Sequence, residues 1–288
     1  MTERKSFKVN KLLKKVVAGV AALTMCVSAM PLSANAEGYS TGTTTSIQQV
    51  SNDVYNQVLE LGFDEDEAQY IVDNVDEDEI LSILGSQSNP NSRATNPIHY
   101  LKDETYHNVA GWNTDNSCSS VAAAIFLVYY SCNHYPEISY SSPYNLYKAL
   151  KPYIELEYKT RSAYLSDIKS GLKEYLNDHE NSDIAAMVRS LEYYSTDSTT
   201  TANFKKMCLL TIARINRDEP VMSVGYYPNA GIHTIVVEGI QIGYDSSGEL
   251  DTSNTYIYVN DGWGGTKKKL NFYDFVRNSS IGSIIYLF

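Results

Sequence analysis

Residues 116–131 have the sequence Asn-Ser-Cys-Ser-Ser-Val-Ala-Ala-Ala-Ile-Phe-Leu-Val-Tyr-Tyr-Ser. Polar residues open this stretch and an apolar run follows, which predicts a largely buried helix. Asn116 or Ser117 can cap its start, so Cys118 falls in the first helical turn. Free backbone N–H groups and the helix dipole favour a thiolate there and lower its pKa, as a nucleophile requires. The alternative is an ordinary core cysteine, and this stretch alone leaves both interpretations open.

Two strands are predicted downstream, at residues 220–227 and 231–239. His233 lies near the start of the second strand. By alternation it shares a face with Ile235 and Val237. A single histidine on a strand is more often structural than catalytic, so His233 gains meaning only from its neighbours.

A third predicted strand, residues 255–259, runs into the turn Asn260-Asp261-Gly262-Trp263-Gly264-Gly265. The glycines permit a sharp bend and let the bulky Trp263 fold over its neighbours. An Asn or Asp just before such a bend can orient an imidazole and fix its tautomer. Asn260 and Asp261 are therefore candidate partners of a histidine.

The first 36 residues have the pattern of an export signal. Six basic residues and one acidic residue are followed by an uninterrupted apolar stretch at 16–30, which Pro31 ends. Residues 33–36, Ser-Ala-Asn-Ala, match an Ala-x-Ala cleavage site before Glu37. The stretch is short for a membrane span, so cleavage is favoured over an uncleaved anchor. We therefore predict a secreted or cell-surface bacterial protein without stable membrane insertion after cleavage.

Residues 37–93 hold twelve acidic residues and one basic residue, Arg93. Acidic clusters at 64–67 and 76–79 lie where amphipathic helices would begin, and acids there favour the helix dipole. The clusters lack the spacing and central glycine of an EF-hand, so we expect helix starts and no calcium site. The segment is predicted as a propeptide or a small N-terminal domain with a linker. As a propeptide it could inhibit the rest of the chain, residues 94–288, until cut near Arg93.

The composition limits the partners and the disulfides. A formal net charge of -11 argues against nucleic-acid binding, which needs clustered Lys and Arg. Once the signal is removed, Cys118, Cys132 and Cys208 remain, and an odd number leaves at least one thiol unpaired. We expect Cys208 to be a buried small hydrophobe and favour free thiols over a Cys132–Cys208 bridge. Helices are predicted in the middle of the chain at 144–153, 161–176 and 204–216.

These motifs together resemble those of papain-like cysteine peptidases in their order, context and approximate spacing. Cys118 opens a helix, His233 opens a strand 115 residues later, and the Asn/Asp-Gly-Trp-Gly turn follows after 27–28 more. Residues 129–136, Tyr-Tyr-Ser-Cys-Asn-His-Tyr-Pro, look like the streptopain branch, and bacteriocin-leader-processing peptidases are another relative. The resemblance covers residues 94–288. It implies an α+β fold, with a helical subdomain opened by the catalytic helix, an antiparallel β subdomain, and a small helical segment before them.

The third catalytic residue stays open between two neighbours. Aligning Gly-Trp-Gly-Gly with streptopain puts Asn260 in that position, and aligning Asp-Gly-Trp-Gly with papain puts Asp261 there. Ile257 and Val259 share a face with Asp261 and are expected to point inward. We therefore favour Asp261.

The sequence departs from the family at the oxyanion hole. Papain-like enzymes usually carry a Gln about six residues before the cysteine, and Trp112 occupies that position here. Asn113 is the nearest amide side chain, and the backbone N–H of Cys118 is a second donor. Losing one such donor can cost about 10²–10³ in rate, so either Asn113 substitutes, backbone donors suffice, or the activity is weak.

The resemblance implies an exported cysteine peptidase acting on a peptide or protein substrate. Cys118 would be the nucleophile, His233 the acid and base, Asp261 or Asn260 the orienting residue, and Trp263 a shield over the imidazole. We expect no cofactor and no metal, because the chain has no His-Glu-x-x-His or Cys-x-x-Cys motif. Two alternatives remain: a transglutaminase-like acyl transferase, and a catalytically inactive relative that serves as a surface or interaction protein.

Overall fold

A computed structural model describes residues 52–86, 98–114, 116–155, 165–193, 200–277 and 282–288. The predicted signal segment at 1–36 and the linker around Arg93 lie outside these residues. In the described part of the chain, no helix is both long and apolar enough to cross a bilayer.

The acidic segment forms three short helices: α1 (52–60), α2 (Glu65–Asn74) and α3 (Glu77–Leu84). Asp64 caps α2, because its carboxylate accepts the Glu67 N–H at 2.8 Å. Asp76 caps α3 in the same way, accepting the Asp78 N–H at 3.0 Å. The prediction that both acidic clusters begin helices is confirmed.

Five helices follow: α4 (Cys118–Asn133), α5 (Pro143–Ile154), α6 (Leu165–Asp178), the short α7 (Ser182–Met187) and α8 (Thr200–Asn216). Helix α4 is buried along residues 118–130, as its almost uninterrupted apolar sequence requires. Its cap falls at one of the two predicted residues, although the capping bond is missing. Asn116 adopts a left-handed conformation with φ 67°, and Ser117 occupies the cap position without a side-chain cap bond.

The strands form one antiparallel sheet. Their bounds are β1 (Ile98–Tyr100), β2 (Val188–Glu192), β3 (Val221–Tyr227), β4 (Gly231–Gln241), β5 (Tyr256–Asn260), β6 (Lys268–Asn271) and β7 (Ser283–Leu287). The order is β2-β7-β3-β4-β5-β6, and β1 also pairs with β4. The short helix α9 (Phe272–Arg277) follows β6. The α+β class and the three predicted strands are confirmed.

Two cores cover the two faces of the sheet, and strand alternation assigns them. Val236 of β4 faces a core built with α4 to α7. Its neighbours Ile235 and Val237 face a second core that holds α8, α9 and also α1 to α3. The described helices of the acidic segment therefore share the core of the sheet and have no separate one.

Ion pairs and hydrogen bonds tie the acidic helices to the rest of the chain. Arg189 of β2 contacts Asp64 at 2.8 Å and Glu67 at 3.3 Å. Tyr286 of β7 donates to Glu67 at 2.6 Å. Tyr70 of α2 donates to Glu219 at 2.9 Å, just before β3. The acids of α2 thus serve as anchors as well as helix starts.

Candidate active site

Cys118 is the first residue of α4 and is buried, with 5% of its surface exposed. Its sulfur receives hydrogen bonds from Ser119 and Thr234, through backbone and side chain in each case. The Ser119 and Thr234 hydroxyls also bond each other at 2.8 Å. Thr234 follows His233 on β4, so Cys118 contacts the strand that carries the predicted base. Alternation, however, turns His233 to the face of Ile235 and Val237, opposite α4.

Burial raises the pKa of the Cys118 thiol, and the hydrogen bonds from Ser119 and Thr234 offset only part of that rise. The prediction of a lowered pKa is therefore wrong for this arrangement. The N–H donors of the first turn are present, but desolvation outweighs them. The thiol is protonated at neutral pH in this conformation.

His233 is almost fully buried, and its Nε2 lies 2.7 Å from the backbone carbonyl of Asp261. A carbonyl oxygen only accepts hydrogen bonds, so Nε2 must carry the proton and Nδ1 holds a lone pair. Burial lowers the pKa of His233, and the contact with Asp261 opposes this only in part. The imidazole is therefore neutral at pH 7 and has a basic Nδ1.

Two aromatic rings enclose the imidazole. Trp263 lies parallel to it, with ring centroids 4.1 Å apart and planes 4° apart. Tyr227 of β3 meets its edge at 5.2 Å and also contacts Trp263 at 5.4 Å. Trp263 keeps 42% of its surface exposed, so it lies between His233 and solvent.

The structure separates the two candidates for the third position. Asp261 lies at the imidazole, with its carbonyl on Nε2. The Asn260 amide instead donates to Thr105 at 3.0 Å and to the Tyr106 carbonyl at 3.1 Å. Asn260 thus holds the chain before α4, and Asp261 is the one of the two that contacts the imidazole.

The Asp261 carboxylate is fully buried and does not bond the ring. It accepts the Trp263 N–H at 3.0 Å and the Tyr227 hydroxyl at 3.2 Å, and it pairs with Lys268 of β6. Burial and the neighbouring Asp261 charge raise the pKa of Tyr227 to about 12, so its hydroxyl stays a donor.

Asn113 lies where the turn after β5 meets α4. A side-chain carbon at Gly262 would fall 3.8 Å from the Asn113 Nδ2 and 3.3 Å from Val121, one turn beyond Cys118. Gly262 also has a φ of 76°, which favours glycine there. Within the described residues, the Asn113 Nδ2 is buried without a hydrogen-bond partner. It is therefore available to a ligand near the Gly262 turn.

Some of the predicted site residues are thus brought together, and Cys118 and Asn260 are the exceptions. His233, Asp261 and Trp263 are in direct contact, and Asn113 lies beside the turn that carries them. Within the described part of the chain, however, the hydrogen bonds of the Cys118 sulfur run to Ser119 and Thr234, with none to the His233 ring.

Sequence reasoning missed Tyr227 and Lys268. Tyr227 pairs with Gly231 in the β3–β4 hairpin, and this register brings it close to His233. Only the residues of the hairpin turn indicate that register in the sequence. Lys268 reaches Asp261 only because β6 folds back along β5. No local pattern in the sequence signals that contact.

Comparisons with known proteins assign no family. A scan of protein-family models gives no match, and searches of curated proteins and of solved structures give no significant match. Among the described residues, no group of three or more His, Cys, Asp or Glu is placed to hold a metal ion.

Proposed function

We propose that the chain is an exported bacterial cysteine peptidase of papain-like type that hydrolyses peptide bonds. The observation that carries this proposal is the hydrogen bond from His233 Nε2 to the Asp261 carbonyl. It fixes the tautomer that leaves Nδ1 basic, as a general base for a thiol requires. The order of helix, strand and turn, and the antiparallel sheet, support the papain-like assignment.

The reaction begins with a neutral pair. Because burial raises the pKa of Cys118 and lowers that of His233, both groups are uncharged before substrate binds. For the reaction, the Cys118 sulfur must leave its hydrogen bonds with Thr234 and reach Nδ1, and the proposal requires this movement. The proton then passes from sulfur to Nδ1 as the sulfur attacks the substrate carbonyl carbon.

The tetrahedral intermediate carries a negative oxygen that needs donors. The Asn113 Nδ2, buried and unpartnered among the described residues, is one, and the backbone N–H of Cys118 is the other. His233 next gives its proton to the leaving amine, whose bond to the carbonyl carbon breaks. Water, deprotonated by Nδ1, then releases the acid from the thioester.

The test is cleavage of a peptide library by the full chain, with new termini identified by mass spectrometry. Cleavage is expected for the wild type and the Cys132→Ser variant, and it is lost in Cys118→Ser and His233→Ala. Cys132 is a matched control because it is the exposed free cysteine. A parallel reaction contains an added amine acceptor. If the acyl group is found joined to that amine and no hydrolysis product forms, the protein is an acyl transferase and not a peptidase.

The raised thiol pKa favours one second candidate, a non-catalytic papain-like protein that binds peptides. Its thiol would stay bonded to Thr234 at all times. A wild-type chain that binds peptides without cleaving them, with unchanged binding in Cys118→Ser, would establish this alternative.

A further inference from the structure

Lys268 provides the counter-charge of a fully buried carboxylate. It begins β6, and its ammonium pairs with Asp261, whose side chain has no exposed surface. An ionised carboxylate is costly to bury without a partner of opposite charge. The lysine is half exposed at its own side chain, so it closes the site from the solvent side.

The ion pair also closes a loop in the chain. The Asp261 N–H donates to the Gly265 carbonyl at 3.4 Å, and its carboxylate accepts the Trp263 N–H at 3.0 Å. Lys268, at the other end of this loop, forms an ion pair with the same carboxylate. The loop holds both elements that touch His233: the Asp261 carbonyl on Nε2 and the Trp263 ring on its face.

We propose that Lys268 is a positioning residue for His233. Its ion pair holds the Asp261 carboxylate away from the ring, so that the Asp261 carbonyl orients the imidazole. This inference rests on the proposed function only in taking His233 as the base of Cys118. The contacts of Lys268 with the loop do not depend on catalysis.

The charges around His233 determine whether removing Lys268 raises or lowers the pKa of His233. The titratable groups around it are Tyr227 on β3, Asp261 after β5 and, through Asp261, Lys268 on β6, while Cys118 of α4 bonds the next residue of β4, Thr234. Tyr227 and Cys118 are neutral at pH 7, so Asp261 and Lys268 are the charged pair. Without the lysine, the Asp261 carboxylate is uncompensated and stabilises the imidazolium.

The test is NMR of the His233 ring in the full chain, comparing Lys268→Met, Lys268→Gln and Lys268→Arg with the wild type. Lys269→Met is the matched control, because Lys269 lies over Tyr256 at 3.9 Å and away from Asp261. In the wild type, the stacked Trp263 ring is expected to shift the signals of the His233 ring protons upfield. Lys268→Met and Lys268→Gln are expected to reduce that shift and to raise the pKa of His233 by about one pH unit. Lys268→Arg restores both, and Lys269→Met changes neither.

A double-mutant cycle separates the pair from a general loss of structure. Asp261→Asn and Lys268→Met remove the same interaction, so their effects on the His233 pKa and shift are expected not to add. A folded Lys268→Met or Lys268→Gln chain with wild-type ring shifts and titration overturns the proposal. These measurements need no turnover. A wild-type chain that cleaves no peptide therefore refutes the proposed peptidase activity, while the role of Lys268 is still tested by NMR.

Discussion

His233 is oriented by the main chain of Asp261: its Nε2 donates to the Asp261 carbonyl at 2.7 Å, while the carboxylate bonds Trp263, Tyr227 and Lys268. In the triad logic of acid–base catalysis, the third residue fixes the tautomer and direction of the imidazole. Here a carbonyl performs that task, and the side chain shapes the loop that presents it.

Because the Asp261 carbonyl orients the ring, substitutions of the Asp261 side chain and of His233 are expected to reduce activity to different extents. Asp261→Asn keeps the carbonyl and a side-chain oxygen for the Trp263 N–H, so it is expected to lower kcat/KM by only about tenfold. His233→Ala removes the base and is expected to cost at least about 10²–10⁴. Steady-state kinetics on one cleaved peptide check this. An Asp261→Asn chain as inactive as His233→Ala would show that the carboxylate acts on the ring directly.

Asn113→Ala is expected to lower kcat by about 10²–10³ with little change in Tm, because it removes an oxyanion donor that makes no hydrogen bond within the described residues. Kinetics and thermal unfolding measure the two quantities separately. Asn177→Ala, at an exposed position of α6, is the matched control. Full activity in Asn113→Ala would show that backbone N–H groups alone stabilise the oxyanion.

Stability is expected to fall as the solution becomes acidic, partly through His233. Its pKa is lowered in the folded chain by burial, so the unfolded chain binds the proton first as pH falls below 6.5. The contribution of neutral His233 is therefore complete above 6.5 and is lost as pH falls toward the folded pKa. Denaturant unfolding from pH 8 to 5 checks this. A His233→Gln chain that loses as much stability as the wild type over this range would speak against the assignment.

The reactivity of the Cys118 thiol is also expected to depend on pH. Because burial raises the pKa of Cys118, its alkylation by iodoacetamide is expected to accelerate as pH rises above neutrality. A thiolate–imidazolium pair would instead react at a nearly constant rate from mildly acidic to neutral pH. Rates at Cys132, which is exposed, provide the internal reference. A rate plateau at Cys118 below pH 7 would contradict the neutral pair.

The helices α1 to α3 are expected to be required for folding. Ile71 is fully buried in the core they share with the sheet, so Ile71→Ala should lower the free energy of unfolding by about 2–5 kcal/mol. Ile98→Ala, at a position 45% exposed, is the control with a small effect. Inhibition by residues 37–93 stays a prediction, since α1 to α3 lie on the face opposite α4. A chain lacking 37–93 that is stable and more active would support it.

Local patterns predicted much of this fold. The apolar run of α4, the alternation in β4 and β5 and the acidic starts of α2 and α3 are all signals within a few residues. Asp261 could be favoured over Asn260 because Val259 fixes the inward face of β5. The use of its carbonyl could not be predicted, since it depends on the loop that Lys268 closes.

The pKa of Cys118 shows a second limit of local reasoning. The first turn of a helix favours a thiolate, and the sequence displays that turn. Burial beneath β4 depends on how distant segments pack, and it reverses the balance. Burial, which the hydrogen bonds from Thr234 and Ser119 offset only in part, therefore decides the resting charge of the thiol.

The central claim is that Cys118 and His233 act as a pair, and stoichiometric labelling with an epoxide inhibitor of thiol peptidases tests it most directly. Labelled cysteines are mapped by mass spectrometry in the wild type and in His233→Ala. Fast labelling at Cys118 alone, lost in His233→Ala, is expected. Labelling of Cys118 no faster than that of Cys132 or Cys208 would contradict it.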